Sequence, residues 1–116
     1  MAAVTIYHNP DCSKSRETLK LLQERGIDVE VVESLKDPPG VEALVKLLDK
    51  LGLEPAQLLR RKEEEFAELG LDAAKDDRGV LLAAMVAHPI LIERPIVVAG
   101  ERARLGRPPE QVLEIF

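Results

Sequence analysis

The sequence predicts an α/β fold in which a βαβ unit and a ββα unit build one mixed sheet, with a helical insertion between the two halves. Three observations lead to this prediction. A β-branched apolar run at 3–7 is followed by a helical stretch at 13–25 and an alternating segment at 28–33. The middle of the chain keeps its leucines at helical spacing. Two further strand-like segments, 96–99 and 102–105, precede a last helix.

Turn and cap signals support the first of these units. Asn9-Pro10 marks a turn after the first strand. The helix begins at Ser13, and Gly26 stands where a helix commonly ends on a left-handed residue. A strand, a helix and a strand in this order place the two strands in parallel.

The helical insertion is predicted over about 38–90. The segment 37–40 opens its first helix, whose apolar positions begin at Val41 and which Gly52 ends. A short helix follows from Pro55, a residue type that suits the first helical position. Another helix spans 78–87, and the proline two residues beyond it ends the helical pattern.

The last part of the chain is predicted to be a hairpin followed by a helix. Gly100-Glu101 lies between the two strand-like segments and suits a two-residue turn. Pro108 and Pro109 open the final helix. A βαβ unit followed by a ββα unit is the order of thioredoxin-like folds, so we predict that fold for a single domain over residues 1–116.

Composition and charge exclude several classes of function. The chain has 116 residues and a formal net charge of -5, whereas proteins that bind nucleic acid or anionic membranes generally need a basic surface. No apolar run approaches the roughly 20 residues that cross a bilayer. Two histidines and one cysteine do not make a metal-ligand cluster. We therefore expect no nucleic-acid, membrane or metal partner.

The cysteine content and the N-terminal segment indicate a compartment. A single cysteine forms no intrachain disulfide, which suits a reducing cytosol. The segment MAAVTIYHNP lacks the basic flank and the apolar stretch of a secretory signal. We expect a cytoplasmic protein.

Cys12 is the main candidate for chemistry, because it lies in the turn between the first strand and the first helix. A thiolate at that place faces free backbone N–H groups and the positive end of the helix dipole, and both lower the pKa of a thiol. Ser13, Ser15 and Arg16 add donors and one positive charge, whereas the carboxylate of Asp11 opposes the thiolate. The alternative is a buried structural cysteine, for which a polar turn is a poor place.

The residue three positions after Cys12 decides how a disulfide at this site would be resolved. Thioredoxin-type sites carry a second cysteine there, and this chain has Ser15. Any disulfide formed at Cys12 therefore needs a thiol from outside the chain. A tyrosine-phosphatase-like loop is disfavoured, since the segment from Cys12 to Arg16 is too short to wrap an oxyanion.

For the other candidate residues, the sequence pattern alone does not decide between a role in the site and an ordinary structural or surface role. Pro95 precedes a predicted strand, where thioredoxin-like folds carry a cis-proline, yet only about 5–6% of X-Pro bonds in folded proteins are cis. Arg60 is either an anion ligand or part of a solvated basic patch that pairs with the acidic run at 63–65. Arg107 stands at a helix start, and His8 is placed to hydrogen-bond near the thiol.

Five segments carry a family resemblance that extends over nearly the whole chain. They are TIYHNPDCSKSRETL (5–19), LLRRK (58–62), ELGL (68–71), HPILIERPIVV (88–98) and RLGRP (104–108). Together these segments resemble the glutaredoxin-coupled arsenate reductase family of the ArsC type. The pair formed by HNPDCSKSR and HPILIERPIVV is highly specific.

The resemblance implies a fold, a reaction and a set of site residues. The fold is thioredoxin-like with a helical insertion, the bond between Arg94 and Pro95 is cis, and Cys12 is the nucleophile that reduces arsenate to arsenite. The residues implied to bind arsenate are Arg60, Arg94 and Arg107, and those implied to support the thiolate are His8, Ser15 and Arg16. No cofactor is implied to be bound; glutathione is the co-substrate, and glutaredoxin regenerates the thiol.

Two other functions stay open at this level. One is a glutathione-dependent thiol reductase of the same fold that acts on another substrate. The other is a regulator without enzymatic activity that binds RNA polymerase, and Ser15 argues against it because that relative usually has a Cys-x-x-Cys switch. The presence of Arg60 favours an arsenate reductase over these two alternatives, although Arg60 and Arg61 are adjacent and either could be the anion ligand.

Overall fold

The structure is a computed structural model and describes residues 4–116. Four strands are present in this range: β1 Val4–His8, β2 Glu30–Glu33, β3 Ile96–Ala99 and β4 Arg102–Leu105. The α-helices are α1 Ser13–Glu24, α2 Val41–Leu51, α3 Pro55–Leu58, α4 Glu64–Glu68 and α5 Arg78–Ala87. Two 3₁₀ helices span Pro89–Leu91 and Pro109–Ile115. None of the helices in the described range is long and apolar enough to cross a membrane.

The chain divides into two compact units. The first consists of the described residues up to Asp37 together with Arg94–Phe116, and the second consists of Pro38–Glu93. All four strands lie in the first unit, and helices α2 to α5 lie in the second.

The four strands of the first unit form a mixed sheet in the order β2-β1-β3-β4. Strand β1 pairs in parallel with β2, with Ile6 opposite Val31, and antiparallel with β3, with Ile6 opposite Val97. Strands β3 and β4 form a hairpin whose two-residue turn contains Gly100 at a φ of 62°. A glycine suits this turn because two-residue hairpin turns require a positive φ. The predicted parallel pair and hairpin are confirmed.

One face of this sheet is covered by α1 and by the terminal 3₁₀ helix, and the core between them is aliphatic. The cluster contains Ile6, Leu22, Val97, Val112 and Ile115, each at most 7% exposed. Burial of an aliphatic side chain of this size stabilises the fold by about 1.5–3 kcal/mol. These contacts fix the start of α1 directly after the end of β1, where Cys12 lies.

The second unit is helical, as the leucine spacing predicts. In α2 the buried side chains recur every three or four residues along one face: Leu44, Leu47, Leu48 and Leu51. Helix α5 contacts both α2 and α3 and buries Leu81 and Met85. Its N-terminus is capped by Asp77, whose side chain accepts a hydrogen bond of 3.1 Å from the N–H of Val80.

Several element boundaries differ from the sequence prediction. Strand β2 is shorter than the predicted 28–33, and Ala3 of the predicted first strand lies outside the described residues. Helix α4 was not predicted, because none of its residues is buried and it therefore has no apolar periodicity. The final helix has 3₁₀ rather than α geometry.

Candidate active site

The site is built on the loop that joins β1 to α1. Cys12 is the N-cap of α1, and its N–H donates a hydrogen bond of 3.0 Å to the carbonyl of Asn9. The side-chain oxygen of Asn9 accepts a hydrogen bond of 3.0 Å from the N–H of Asp11. Asn9 is only 5% exposed, so the turn is held from inside the protein. This arrangement fixes the Cys12 sulfur at the N-terminus of the helix.

The pKa of the Cys12 thiol is lowered in this environment. Partial burial acts in the opposite direction and is the largest single influence, because it disfavours the charged thiolate. It is outweighed by hydrogen bonds from the N–H and the hydroxyl of Ser15, by the N–H of Lys14, and by the positive charge of Arg107. Asp11, expected from the sequence to oppose the thiolate, is not among the described groups that shift this pKa.

Ser15 occupies the position of the second cysteine in a dithiol site. Its side chain is fully buried, and its oxygen accepts a hydrogen bond of 3.3 Å from the N–H of Asn9. Because the oxygen is the acceptor in that contact, the hydroxyl hydrogen is available to donate to the Cys12 sulfur. Ser15 therefore stabilises the thiolate and cannot form a disulfide with it.

Arg107 comes from the other end of the chain to the same sulfur. Its Nη2 lies 3.6 Å from Sγ of Cys12, and its Nε donates a hydrogen bond of 2.8 Å to the carbonyl of Arg94. The Arg94–Pro95 bond is cis, as the resemblance implies, and the Arg107–Pro108 bond is also cis. From the sequence, Arg16 was the positive charge expected beside the thiol. In the structure the charge of Arg107 is among the causes that lower the pKa of Cys12.

His8 and Arg16 flank this arrangement. His8, at the end of β1, is 7% exposed, and burial is the main cause that lowers the pKa of its ring. Its Nδ1 has no hydrogen-bond partner within residues 4–116. Arg16 donates from Nη1 to the carbonyl of Pro10 at 2.8 Å and so ties the helix to the loop.

Arg60 belongs to the second unit, directly after α3. Its backbone N–H donates to the carbonyl of Leu91 at 2.7 Å. Its guanidinium contacts two carboxylates: Nε lies 3.2 Å from Glu63 and Nη1 lies 2.7 Å from Glu93. The neighbouring Arg61 instead lies over a ring, with its guanidinium carbon 5.9 Å from the centroid of Phe66. The predicted pairing of Arg60 with the acidic run at 63–65 is present, at Glu63. The role of Arg60 as an anion ligand stays a prediction.

The first unit thus brings together Cys12, Ser15, Arg107 and the backbone of Arg94. From the sequence, Asn9 was expected only to mark a turn, although an asparagine in a turn is a common source of the side-chain hydrogen bond seen here. Within the described residues there is no group of three His, Cys, Asp or Glu side chains that could hold a metal ion. A lowered thiol pKa beside an arginine is an arrangement that can attack an electrophile and hold an anion.

Comparison with known proteins identifies the family. The model of the ArsC family matches residues 7–115. The uncharacterized protein YfgD of Escherichia coli is 54% identical over 113 residues, which cover 97% of this chain and 95% of that protein. An arsenate reductase of Neisseria meningitidis serogroup B is 48% identical over 113 residues, which cover 97% of each chain. A solved structure of an arsenate reductase from Vibrio cholerae has a TM-score of 0.94 and 54% identity, and covers 97% of each chain. With the mixed sheet, the thiol at the helix N-terminus and these similarities, the chain belongs to the ArsC family.

Proposed function

We propose that this protein reduces arsenate to arsenite, with the Cys12 thiolate as the nucleophile. The observation that carries the proposal is the position of the Cys12 sulfur, which lies at a helix N-terminus and 3.6 Å from Nη2 of Arg107. Relatives from several bacteria that are 44–50% identical to this chain are arsenate reductases.

The proposed reaction has three steps. The Cys12 thiolate attacks arsenic(V) and forms a sulfur–arsenic bond, while one proton converts a hydroxyl group of arsenate to water, which leaves. The thiolate of glutathione then attacks, and a disulfide forms between Cys12 and glutathione while arsenic takes up two electrons and departs as arsenite. Each of the two thiols supplies one of those electrons. A glutaredoxin thiolate finally attacks the glutathione sulfur of the mixed disulfide; a disulfide between glutaredoxin and glutathione forms, and Cys12 leaves as a thiolate.

The need for outside thiols follows from the composition of the site. The chain has one cysteine, and the position that would hold a resolving cysteine is the fully buried Ser15. Exchange at a mixed disulfide requires a second thiolate that can reach the sulfur. Glutathione and a glutaredoxin supply such thiols in the reducing cytoplasm, where we place the reaction.

Arginines are suited to hold the substrate, because a guanidinium makes charge-assisted, bidentate hydrogen bonds with an oxyanion. In the proposal Arg107 and Arg94 serve this role near the thiol, and the family resemblance adds Arg60. The bond from Nε of Arg107 to the Arg94 carbonyl, 2.8 Å long, orients the plane of that guanidinium. His8 and Arg16 support the loop around the thiolate.

One observation favours the alternative, a glutathione-dependent reductase that acts on a substrate other than arsenate. Arg60 already contacts the carboxylates of Glu63 and Glu93, and a third anion at that guanidinium would face two negative charges. This alternative predicts that Cys12 forms a mixed disulfide with glutathione while arsenate is not turned over.

The test is arsenate-dependent oxidation of NADPH with glutathione, glutathione reductase and glutaredoxin supplied, together with measurement of the arsenite formed. We expect turnover with wild-type protein and none with Cys12→Ser, which removes the nucleophile from a loop–helix junction outside the core. Omission of glutaredoxin should stop turnover after the mixed disulfide has formed. Absence of arsenite with the wild-type protein under the full conditions would exclude the reductase proposal.

A further inference from the structure

Gly106, between β4 and Arg107, is packed too closely for any side chain. A Cβ atom built on Gly106 would collide with Oγ1 of Thr18 and would lie 2.7 Å from Cγ of Pro95 and 3.1 Å from Cγ2 of Thr18. Its φ is not among the positive values found in the chain, so the backbone conformation alone does not demand glycine. The requirement for glycine at this position is therefore one of space.

The groups that face Gly106 cannot easily move aside. Thr18 is fully buried in α1, and a β-branched side chain in a helix has few rotamers. Its hydroxyl has no hydrogen-bond partner in the described part of the chain, so the side chain contributes contact rather than a hydrogen bond here. Pro95 has a rigid ring, and its carbonyl accepts a hydrogen bond of 2.9 Å from the N–H of Gly106.

The residue that follows Gly106 is the one that reaches the thiol. Arg107 is tied to the Arg94 carbonyl at 2.8 Å, and Gly106 is tied to the Pro95 carbonyl at 2.9 Å, so two successive residues are held by two successive carbonyls. A displacement of Gly106 would carry the Arg107 guanidinium with it. Misplacement of a catalytic group by about 1 Å can slow a reaction by about a hundredfold.

We propose that Gly106 and Thr18 are positioning residues, whose close contact sets the place of the Arg107 guanidinium relative to the Cys12 sulfur. The consequence for the rate rests on the proposed reductase function. The consequence for the thiol does not, because the positive charge of Arg107 lowers the pKa of Cys12 in the resting protein.

The test is Gly106→Ala, with Gly40→Ala as the matched control. Gly40, the N-cap of α2, has an ordinary φ of -78° and nothing within 4 Å of its Cβ position, so the same change there should leave the pKa of Cys12 unchanged. Titration of the Cys12 thiolate by its ultraviolet absorbance should give a higher pKa for Gly106→Ala, by part of the rise that Arg107→Ala produces. The kcat/KM for arsenate should fall by about tenfold or more.

A double-mutant cycle separates positioning from general damage to the fold. In an Arg107→Ala background, Gly106→Ala should change neither the thiol pKa nor kcat/KM further, because the group it displaces is gone. Additive effects in the two backgrounds would overturn the proposal, and so would an unchanged thiol pKa in folded Gly106→Ala. The titration needs no arsenate, so it decides the inference even if the reductase activity fails.

Thr18→Ala provides a second route should Gly106→Ala not fold. It removes Oγ1 and Cγ2, so that one of the two side chains packed against Gly106 no longer holds it in place. We expect a smaller rise of the Cys12 pKa in the same direction, and again none in the Arg107→Ala background. A thiol pKa equal to that of the wild type in Thr18→Ala would contradict the positioning role of this contact.

Discussion

Arg107 and Arg60 are implied by the family resemblance to bind the same anion, yet they have different surroundings. Arg107 donates to a backbone carbonyl and approaches the Cys12 sulfur at 3.6 Å. Arg60 lies in the other unit of the chain and contacts two carboxylates, at 3.2 and 2.7 Å. The charge of Arg107 is therefore directed at the thiol in the resting protein, whereas the charge of Arg60 is compensated by acidic side chains.

This difference bears on what each arginine can add to substrate binding. A hydrogen bond to a charged group contributes about 1.5–3 kcal/mol, but a partner that must first leave a carboxylate keeps only the difference between two such interactions. The side chains of Arg60, Glu63 and Glu93 are about a quarter exposed, so solvent weakens every charged contact of this guanidinium, whether with a carboxylate or with a bound anion. We infer that Arg107 contributes more to the reaction than Arg60.

Removal of Arg107 should therefore have the largest effect. Arg107→Ala should lower kcat/KM for arsenate by about 10- to 150-fold, because one charge-assisted contact is lost. Arg107→Lys should restore only part of the lost kcat/KM, since lysine supplies a point charge without the planar guanidinium that makes two parallel hydrogen bonds. Steady-state rates at low arsenate measure both effects. Full efficiency in Arg107→Ala would show that Arg107 contributes nothing to the reaction, and it would remove the basis of the comparison.

Ser15→Ala should have an intermediate effect, and the size of the loss depends on pH. The thiolate is the reactive form, so the rate rises as pH passes upward through the pKa of Cys12. Loss of the Ser15 hydroxyl raises that pKa and moves the rising limb to higher pH. Below the pKa the rate should fall by about 2- to 12-fold, equivalent to about 0.5–1.5 kcal/mol for one hydrogen bond. The rate of alkylation of Cys12 against pH measures the shift, and an unmoved limb would contradict it.

Glu93→Gln should have the smallest effect, and it should be a gain. Removal of one negative charge from Arg60 should lower the KM for arsenate by about 1.5- to 5-fold, which corresponds to about 0.2–1 kcal/mol for a partly exposed ion pair. Glu64→Gln changes the net charge equally at an exposed position and should leave KM unchanged. An equal decrease of KM in Glu64→Gln would show that the net charge of the protein, and not the pairing of Arg60 with Glu93, causes the effect. The gain should also disappear in an Arg60→Ala background.

Much of the fold could be predicted because glycine and proline mark its boundaries. Strands β3 and β4 and helix α5 have the predicted bounds, and the hairpin turn falls at Gly100-Glu101. Helix α4 escaped prediction because it buries no residue. The 3₁₀ geometry of the final helix depends on how it packs against α1 and β4, which local sequence does not specify.

The candidate site likewise has features that local sequence predicts and features that depend on tertiary packing. The placement of Cys12 at a helix N-terminus follows from local sequence, and so does the proximity of Ser15. Cys12 and Arg107 are separated by 95 positions, and only the family resemblance indicated that they converge. The close packing of Gly106 against Thr18 could not be foreseen, because it depends on how the loop after β4 approaches α1.

The amide groups that stabilise the thiolate have a consequence for how such a protein can diverge. The N–H groups of Lys14 and Ser15 belong to the main chain, and substitution by any residue other than proline leaves them in place. Activation of the sulfur is thus largely protected from mutation while α1 persists. The arginines and their carboxylate partners are side chains that single substitutions can exchange. A descendant of this protein could therefore change the anion it accepts and still inherit a reactive thiol.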